Sequence, residues 1–427
     1  MRRVNVGVLG VGTVGGGVLS VLARKGDRIA QALGATIVVK RALVRDVAKE
    51  RPQDVDRALL TTDPESILAD PEIDVVVELL GGEEPARTYI ARALEGGKHV
   101  VTGNKEVIAK HGYELLRVAD RRGVNLFFEA SVGGGIPIIR VLRRDLVANE
   151  ISQIQAIING TTNYILTDME QGRDYGDALH QAQALGYAEA DPRNDVEGID
   201  ACYKLAILTT LGFRADIRPD AIHREGITAL AARDFRYAQE MGYVIKLVAS
   251  ARLVEGEIEA SVHPTLLPHD HHLAAVKGVF NAVLIDGDEV DKLMLYGRGA
   301  GAKPTSSAVL ADLCAAVQDI VAGVCEPVAF PDDSRRVRDV GDTDSRYYVR
   351  LLVADQPGVL ARISSILGDH TISIASVIQK ETDDAANVAE LVIMTHTARH
   401  RRMADALASI GALPITRKIN TVIRVGR

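Results

Sequence analysis

The hydrophobic and polar positions change period along the chain, and those changes mark its elements. Val4 to Leu9 is a short β-branched run that predicts a buried strand. Gly10-Val11-Gly12-Thr13-Val14-Gly15 follows at once, and then an apolar helix through about Arg24. Further short apolar runs occupy Thr36 to Val44, Ile73 to Leu80, His99 to Thr102 and Asn125 to Glu129, with helical periods between them. Strands alternating with helices at this spacing predict a parallel, doubly wound sheet. A glycine-rich turn between its first strand and helix is the fingerprint of a dinucleotide site. Gly10 permits the tight turn, Gly12 lets backbone approach a pyrophosphate, and Gly15 lets helix and strand pack closely.

From Ile151 the pattern becomes mixed. Ile151 to Ile158 predicts a strand, and the polar turn Asn159 to Tyr164 opens a helix. Glu170 to Leu185 predicts another helix, and Tyr243 to Leu253, Glu257 to Val262 and Ala282 to Asp286 predict strands. A second glycine-rich loop, Gly297 to Pro304, precedes an apolar helix from about Ser307 to Val321, with Thr305 or Ser306 as its cap. Pro327 to Arg346 is rich in charge and carries Pro and Gly, as a linker does. Beyond it the order strand, helix, strand, strand, helix, strand is a ferredoxin-like βαββαβ unit. The expected organisation is α/β throughout. A Rossmann-like nucleotide domain spans 1–135 and is completed by about 300–325. A mixed α/β substrate and dimerisation domain spans 136–299, a linker 326–346, and a C-terminal module 347–427.

Composition narrows the function classes. A chain of 427 residues, 47% hydrophobic and 25% charged, has room for two or three ordinary globular domains. Its net charge of −7, 4% aromatic content and lack of Trp argue against a nucleic-acid partner. Met1-Arg2-Arg3 and the apolar run behind it resemble a signal peptide, but the glycines from Gly7 to Gly17 suit a strand–turn–helix better. No other stretch reads as long and apolar enough to cross a membrane, so a cytoplasmic protein is expected. Cys202, Cys314 and Cys325 lack metal-ligand spacing.

The richest candidate chemistry lies between Leu185 and Leu208. Asn194 and Glu197 have the spacing of a capping box for a mostly apolar helix. Asp200 and Lys204 fall on one face of that helix, four residues apart. Glu189, Asp191, Asp195 and Glu197 crowd its start, so a carboxylate-rich loop feeds an acid/lysine pair. That combination suits a cationic substrate and a proton donor; the plain alternative is a salt bridge on an exposed helix edge. Arg45 stands where an NAD-preferring site usually has an acid, and so favours NADP(H), with NAD(H) as the alternative. By topology Lys105 faces the cofactor crevice, and the loop after Glu129 suits a cation or the nicotinamide end. In the C-terminal module, Asp355-Gln-Pro-Gly358 opens a helix, as a site for a small amino acid would.

The segments GVLGVGTVG, TGNKEVIA, FEASVGGGIPI, NGTTNYIL, GYAEADPRNDVEGIDACYKLAIL, GRGAGAKPTSSAV and DQPGVLARI together resemble homoserine dehydrogenase of the type carrying a C-terminal ACT domain. That family interconverts L-aspartate 4-semialdehyde and L-homoserine with NAD(P)H, on the route to threonine, methionine and isoleucine. The resemblance implies Lys204 as proton donor, with Lys105 near substrate and nicotinamide. It implies Asp200 and Glu189 on the substrate, joined by Asp195 and Thr161. The Asn159 to Asn163 turn is expected to offer donors to the substrate's carboxylate. The resemblance implies that Gly10 to Gly15, Arg45, Lys105 and Gly301 bind cofactor. It also implies that Glu129, Val132, Gly134 and Ile136 hold a monovalent cation such as Na⁺. An amino-acid effector, threonine first, is expected at the ACT domain, and a homodimer or homotetramer as the assembly. Two other readings stay open: a different aldehyde or amino-acid dehydrogenase, and a nucleotide sensor without turnover. An aldehyde-oxidising, phosphorylating enzyme would need a cysteine nucleophile.

Overall fold

The computed structural model describes residues 1–51, 55–327, 335–379 and 387–426 in full, and the backbone of 380–383. The chain forms two compact units. The first comprises Met1–Ile151, Ala206–Pro219 and Asn281–Ser334; the second comprises Ser152–Leu205, Asp220–Phe280 and Arg335–Arg427.

The first unit begins with β1 (Arg2–Leu9), α1 (Thr13–Leu33), β2 (Ala35–Leu43), β3 (Leu60–Thr61), α2 (Glu65–Leu68), β4 (Val75–Glu78), α3 (Ala86–Glu95), β5 (His99–Thr102), α4 (Lys105–Arg122), β6 (Leu126–Phe127) and α5 (Ile138–Arg140). The chain continues through β7 (Ile151–Ile157), α6 (Gly160–Glu170), α7 (Tyr175–Ala184), α8 (Arg193–Val196), α9 (Ile199–Phe213), β8 (His223–Arg224), α10 (Ala232–Glu240), β9 (Tyr243–Val254) and β10 (Glu257–Pro268). β11 (Phe280–Gly287), β12 (Asp291–Arg298) and α11 (Ala302–Ala322) belong to the first unit. β13 (Asp344–Ala354), α12 (Val359–Asp369), β14 (Ile374–Asp383), β15 (Val388–Thr395), β16 (Ala398–Arg399), α13 (His400–Gly411) and β17 (Thr416–Val425) complete the second.

In the first unit six parallel strands run in the order β3-β2-β1-β4-β5-β6. The order reverses at β1, so the carboxyl ends of β1 and β4 flank the switch-point crevice of a doubly wound sheet. Every residue of β4 is buried, as a strand covered on both faces requires. α11 supplies Val309, Leu313, Ala316 and Val317 to the same core, and its Ser306 hydroxyl donates to the Val14 carbonyl of α1 at 3.0 Å. By length and composition α11 is apolar enough to cross a membrane, contrary to the expectation that no stretch is. Its core packing accounts for that composition instead.

In the second unit the strands run β7-β9-β10-β17-β13-β15-β14. β9 and β10 form a long antiparallel hairpin from Tyr243↔Pro268 to Val254↔Glu257. β17 joins β10 in parallel through Thr265↔Arg424 and Leu266↔Val425. The last four long strands carry α12 and α13 over a core that includes Leu351, Ile363, Leu391 and Ile410. This is the βαββαβ module.

Several local expectations change. α11 starts at Ala302 rather than about Ser307, because Gly301 with φ +113° is its cap and Pro304 fits the first turn. The helix expected over Glu170 to Leu185 begins later, as α7 at Tyr175, because α6 runs to Glu170 and a turn with Gly172 at φ +96° separates the two. Only Leu126–Phe127 of the expected strand 125–129 pairs as strand, and Glu129–Ser131 turn as a 3-10 helix. Of the expected linker, residues 328–334 lie outside the described residues. Within the rest, the Ile258 N–H donates to the Arg336 carbonyl at 2.9 Å, the Ile258 carbonyl accepts the Arg338 N–H at 2.8 Å, and the Arg338 guanidinium meets Glu255 and Glu257.

Candidate active site

At the carboxyl end of β1, three glycines have three different reasons. Gly10 holds φ +101°, and a Cβ there would lie 2.7 Å from the Leu79 carbonyl oxygen. A Cβ on Gly15 would overlap the Gly10 carbonyl oxygen. A Cβ on Gly12 would meet nothing within 4 Å. The protein itself therefore demands the first and last glycines. Only something outside the protein would feel a side chain at Gly12. Gly12 is also the N-cap of α1 and makes no side-chain cap bond, so no side chain caps the first turn, Thr13 to Gly15. These residues fit a bound pyrophosphate. Arg45 lies two residues past β2 and is exposed. The neighbouring Asp46 carboxylate accepts the Ala48 N–H at 2.8 Å, which ties it to its own turn.

Glu78 is a charge inside the apolar strand β4. It is fully buried, and burial pushes its carboxyl up. It accepts the Thr102 hydroxyl at 2.6 Å and the Leu80 N–H at 2.7 Å. Thr102 Oγ1 accepts the Asn104 N–H at 3.0 Å, and Asn104 caps α4 through Val107 N–H at 3.2 Å. This chain of bonds locks the ends of β4 and β5 and fixes Lys105 as the first residue of α4.

The Glu129 carboxylate is also buried, and it accepts the N–H groups of Ile139 at 2.8 Å and Arg140 at 2.8 Å. Burial pushes this carboxyl up against those donors. Asp312 of α11 accepts the Glu129 N–H at 2.7 Å. Burial, with the Glu129 carboxylate beside it, pushes Asp312 up to about 7. With its carboxylate bonded to α5, Glu129 can offer its backbone carbonyl to a cation, alongside those of Val132, Gly134 and Ile136. Gly133 and Gly134 hold φ +72° and +52°, and a Cβ on Gly134 would crowd the Gly299 carbonyl of the second glycine loop. Gly301 caps α11 at the end of that loop. Among the described residues no group of three or more His, Cys, Asp or Glu could hold a metal ion.

In the second unit the acid/lysine pair is built as a unit. Lys204 Nζ lies 2.7 Å from Asp200 Oδ2 and donates to the Ile158 carbonyl at 2.8 Å. Both side chains are buried, at 10% and 5% exposure, which removes the exposed-edge alternative. Asn159 caps α6 by accepting the Thr162 N–H at 2.8 Å. Its Nδ2 donates to Asp195 at 2.6 Å and to Asp200 at 2.9 Å. Asn194 is not the cap expected for the helix of Asp200 and Lys204. It lies inside α8, which Pro192 opens, and Gly198 at φ +76° breaks the chain before α9.

The carboxylates of the acidic loop separate. Asp195 turns inward, whereas Asp191 pairs with the exposed Arg193, which holds its carboxyl down to about 2. Glu189 and Glu197 are exposed. The Thr161 hydroxyl donates to the Tyr187 carbonyl at 2.7 Å, and Gln183 donates to the Glu189 carbonyl at 3.0 Å, so the loop is anchored on α6 and α7. The Asn159 and Asn163 side chains of the turn expected to offer donors to a substrate carboxylate are held within the protein. Asn159 is committed to the aspartates, and Asn163 donates to the carbonyls of Gly278 at 2.9 Å and Phe280 at 3.1 Å. Cys202 is buried, which pushes its thiol up to about 11 and leaves it a poor nucleophile. In the C-terminal module, Gly358 at φ +88° opens α12 beside a cavity of about 210 Å³ lined by Asp355, Gln356, Leu360, Gln379 and Leu391.

Known proteins share this arrangement from end to end. Residues 10–129 match the family model for the homoserine dehydrogenase NAD-binding domain, 137–314 the homoserine dehydrogenase model, and 347–414 the ACT domain model. The homoserine dehydrogenase of Pseudomonas aeruginosa is 43% identical over 423 residues, 97% of this chain and 96% of that protein. That of Bacillus subtilis is 37% identical over 427 residues, 100% and 99% of the two chains. The crystal structure of a homoserine dehydrogenase from Thiobacillus denitrificans aligns with a TM-score of 0.91 at 43% identity, covering 100% of this chain and 99% of that one. A hyperthermophilic archaeal homoserine dehydrogenase in complex with NADPH aligns with a TM-score of 0.63 at 30% identity, over 74% of this chain and 98% of its own.

Proposed function

The chain belongs to the homoserine dehydrogenase family, and from that premise we propose how its own residues run the interconversion of L-aspartate 4-semialdehyde and L-homoserine. The observation that carries the reading is the buried Lys204 ammonium, fixed between the Asp200 carboxylate and the Ile158 carbonyl. The bound nicotinamide supplies the hydride to the aldehyde carbon, or accepts it in the reverse direction. Lys204 stabilises the charge that develops on the aldehyde oxygen and delivers the proton there, leaving a neutral amine that solvent reprotonates. Asp200 holds the ammonium in position between turnovers. Asp195, Asp200 and Glu189 form the acidic surroundings that attract the substrate's own ammonium. The backbone N–H groups at the start of α6 take its carboxylate, in place of the committed asparagine side chains.

Gly10 to Gly15, Lys105 and Gly301 hold the cofactor. Exposed Arg45, with Asp46 tied into its turn, favours the extra phosphate of NADP(H). The carbonyls of Glu129, Val132, Gly134 and Ile136 suit a monovalent cation such as Na⁺, since hard cations take oxygen ligands. The cavity at Asp355 and Gly358 suits an amino-acid effector, threonine first. Met294 and Tyr296 stand exposed on the edge strand β12, which supports pairing with a second copy in a homodimer or homotetramer. The domain assignment offered is 1–135, 136–299 and 347–427, in an enzyme of the cytoplasm. Formation of NADPH from NADP⁺ and L-homoserine, followed by absorbance, tests the central reading. Cofactor binding without homoserine-dependent turnover would favour the sensor instead.

A further inference from the structure

We propose that Asn159 is a positioning residue for this reaction: its side-chain amide draws Asp195 and Asp200 together and holds Asp200 against Lys204. The inference rests on Lys204 as the proton donor.

The orientation of the amide is fixed. Asn159 Oδ1 faces the Thr162 N–H, a group that can only donate, at 2.8 Å. Nδ2 therefore faces the aspartates, and its two hydrogens match two acceptors, Asp195 Oδ1 at 2.6 Å and Asp200 Oδ2 at 2.9 Å. A group that only donates lets both carboxylates act as anionic acceptors without sharing a proton. Asp200 Oδ2 is also the atom that Lys204 reaches, so the amide and the ammonium converge on one oxygen. The preceding residue supplies the Ile158 carbonyl to the same ammonium. Two adjacent residues after β7 thus grip three charged side chains from α8 and α9. The break at Gly198 between those helices lets the aspartates approach each other. Without the Nδ2 donor, nearby like charges favour either a shared proton or a swing of Asp200 away from Lys204. A displacement of about 1 Å at such a group costs on the order of 100-fold in rate.

A capping role alone would predict something different, and two substitutions separate the two roles. Asn159→Ser and Asn159→Asp both keep an N-cap acceptor, and both lose the Nδ2 donor. The second also adds an anion beside the aspartates. The full chain should be compared with both variants and with Lys204→Ala by steady-state kinetics across pH, thermal melting and NADPH affinity. Asn159→Ser is expected to melt close to the wild type and Asn159→Asp lower, since it buries a third carboxylate beside two; both should bind NADPH unchanged. Each should lose roughly 10–100-fold in kcat/KM for homoserine. The acid limb of the Asn159→Asp profile should move up by about one unit relative to Asn159→Ser. Wild-type kcat/KM and an unshifted profile in Asn159→Ser, beside an inactive Lys204→Ala, would overturn the proposal while sparing the donor assignment. Losses that merely track melting temperature would reduce Asn159 to a cap and overturn it too. Full turnover in Lys204→Ala would instead remove the donor assignment, and this inference with it.

Discussion

Arg350→Met should be among the most damaging single changes to the second unit. The Arg350 side chain is 6% exposed, and its partners Asp234 of α10 and Glu390 of β15 are 0% and 3% exposed. Nε and Nη2 reach the two oxygens of Asp234 at 2.6 and 3.0 Å, and Nη1 reaches Glu390 at 2.9 Å. Methionine keeps much of the apolar contact but leaves two buried carboxylates without the guanidinium. Removing one partner from a buried pair costs about 3–5 kcal/mol. Asp234 retains the Ala231 N–H at 2.9 Å and the hydroxyls of Tyr348 and Thr421, each at 3.0 Å. Glu390 retains the Tyr237 hydroxyl at 3.0 Å. These remaining donors put the expected loss at the lower end, about 3 kcal/mol, or roughly 6–12 °C in melting temperature for a unit of this size. Urea denaturation and calorimetry measure it. A variant without the three buried charges, Arg350→Met with Asp234→Leu and Glu390→Leu, should recover part of the loss, since apolar replacement of a buried charged set is often tolerated and Arg233, which also meets Glu390 at 3.7 Å, is exposed to water. A loss below about 1 kcal/mol in Arg350→Met would refute the argument, because burial and bond geometry would then not govern the cost.

Three further outcomes are expected. Gly12→Ala should melt like the wild type yet bind NADPH at least about tenfold more weakly, whereas Gly15→Ala should lose stability outright because its Cβ overlaps the Gly10 carbonyl; equal melting losses in the two would contradict this. Arg45→Ala should raise KM for NADPH by about tenfold, the low end of a charge-assisted contact at an exposed site, and change that for NADH little; equal changes for both coenzymes would remove Arg45 from phosphate recognition. Asp355→Ala should raise the threonine concentration for half-inhibition by about tenfold, consistent with a charge-assisted contact to the effector's ammonium; calorimetry showing no threonine binding to the wild type would end the threonine reading.

Much of the nucleotide fold was legible because its signals are local. A β-branched run, three spaced glycines and a helix lie within one short stretch, and strand alternation then implies the parallel sheet. The βαββαβ order of the C-terminal module was legible for the same reason. Helix ends were less so, since proline and glycine conformations override polar caps, as Pro192, Gly198 and Gly301 do here. What stayed hidden depends on distant pairing. The junction of β10 with β17 rests on two residue pairs far apart in sequence, and Arg350 finds Asp234 only across it. Removing the C-terminal module would therefore strip a sheet neighbour and a buried cation, which makes point substitution the cleaner probe of regulation. At the site, spacing placed Asp200 with Lys204. It gave no sign that Asn159 would bridge Asp195 to Asp200, because that amide arrives from another strand end. The buried Glu78 left a trace in the sequence, a single charge in an apolar run, whose meaning depended on Thr102 of the next strand.

The measurement closest to the central claim is kcat for homoserine oxidation in Lys204→Ala and Lys204→Arg, with folding and NADPH affinity checked on the same preparations. The arginine keeps a cation beside Asp200 but does not give up its proton at working pH. Both variants should bind NADPH as the wild type does and lose about 10²–10⁴ in kcat, as removal of the general base that takes the hydroxyl proton in this direction does. A folded Lys204→Ala protein turning over within about threefold of the wild-type rate, where a lost acid–base group should cost at least a hundredfold, would contradict the account and shift proton transfer to Lys105.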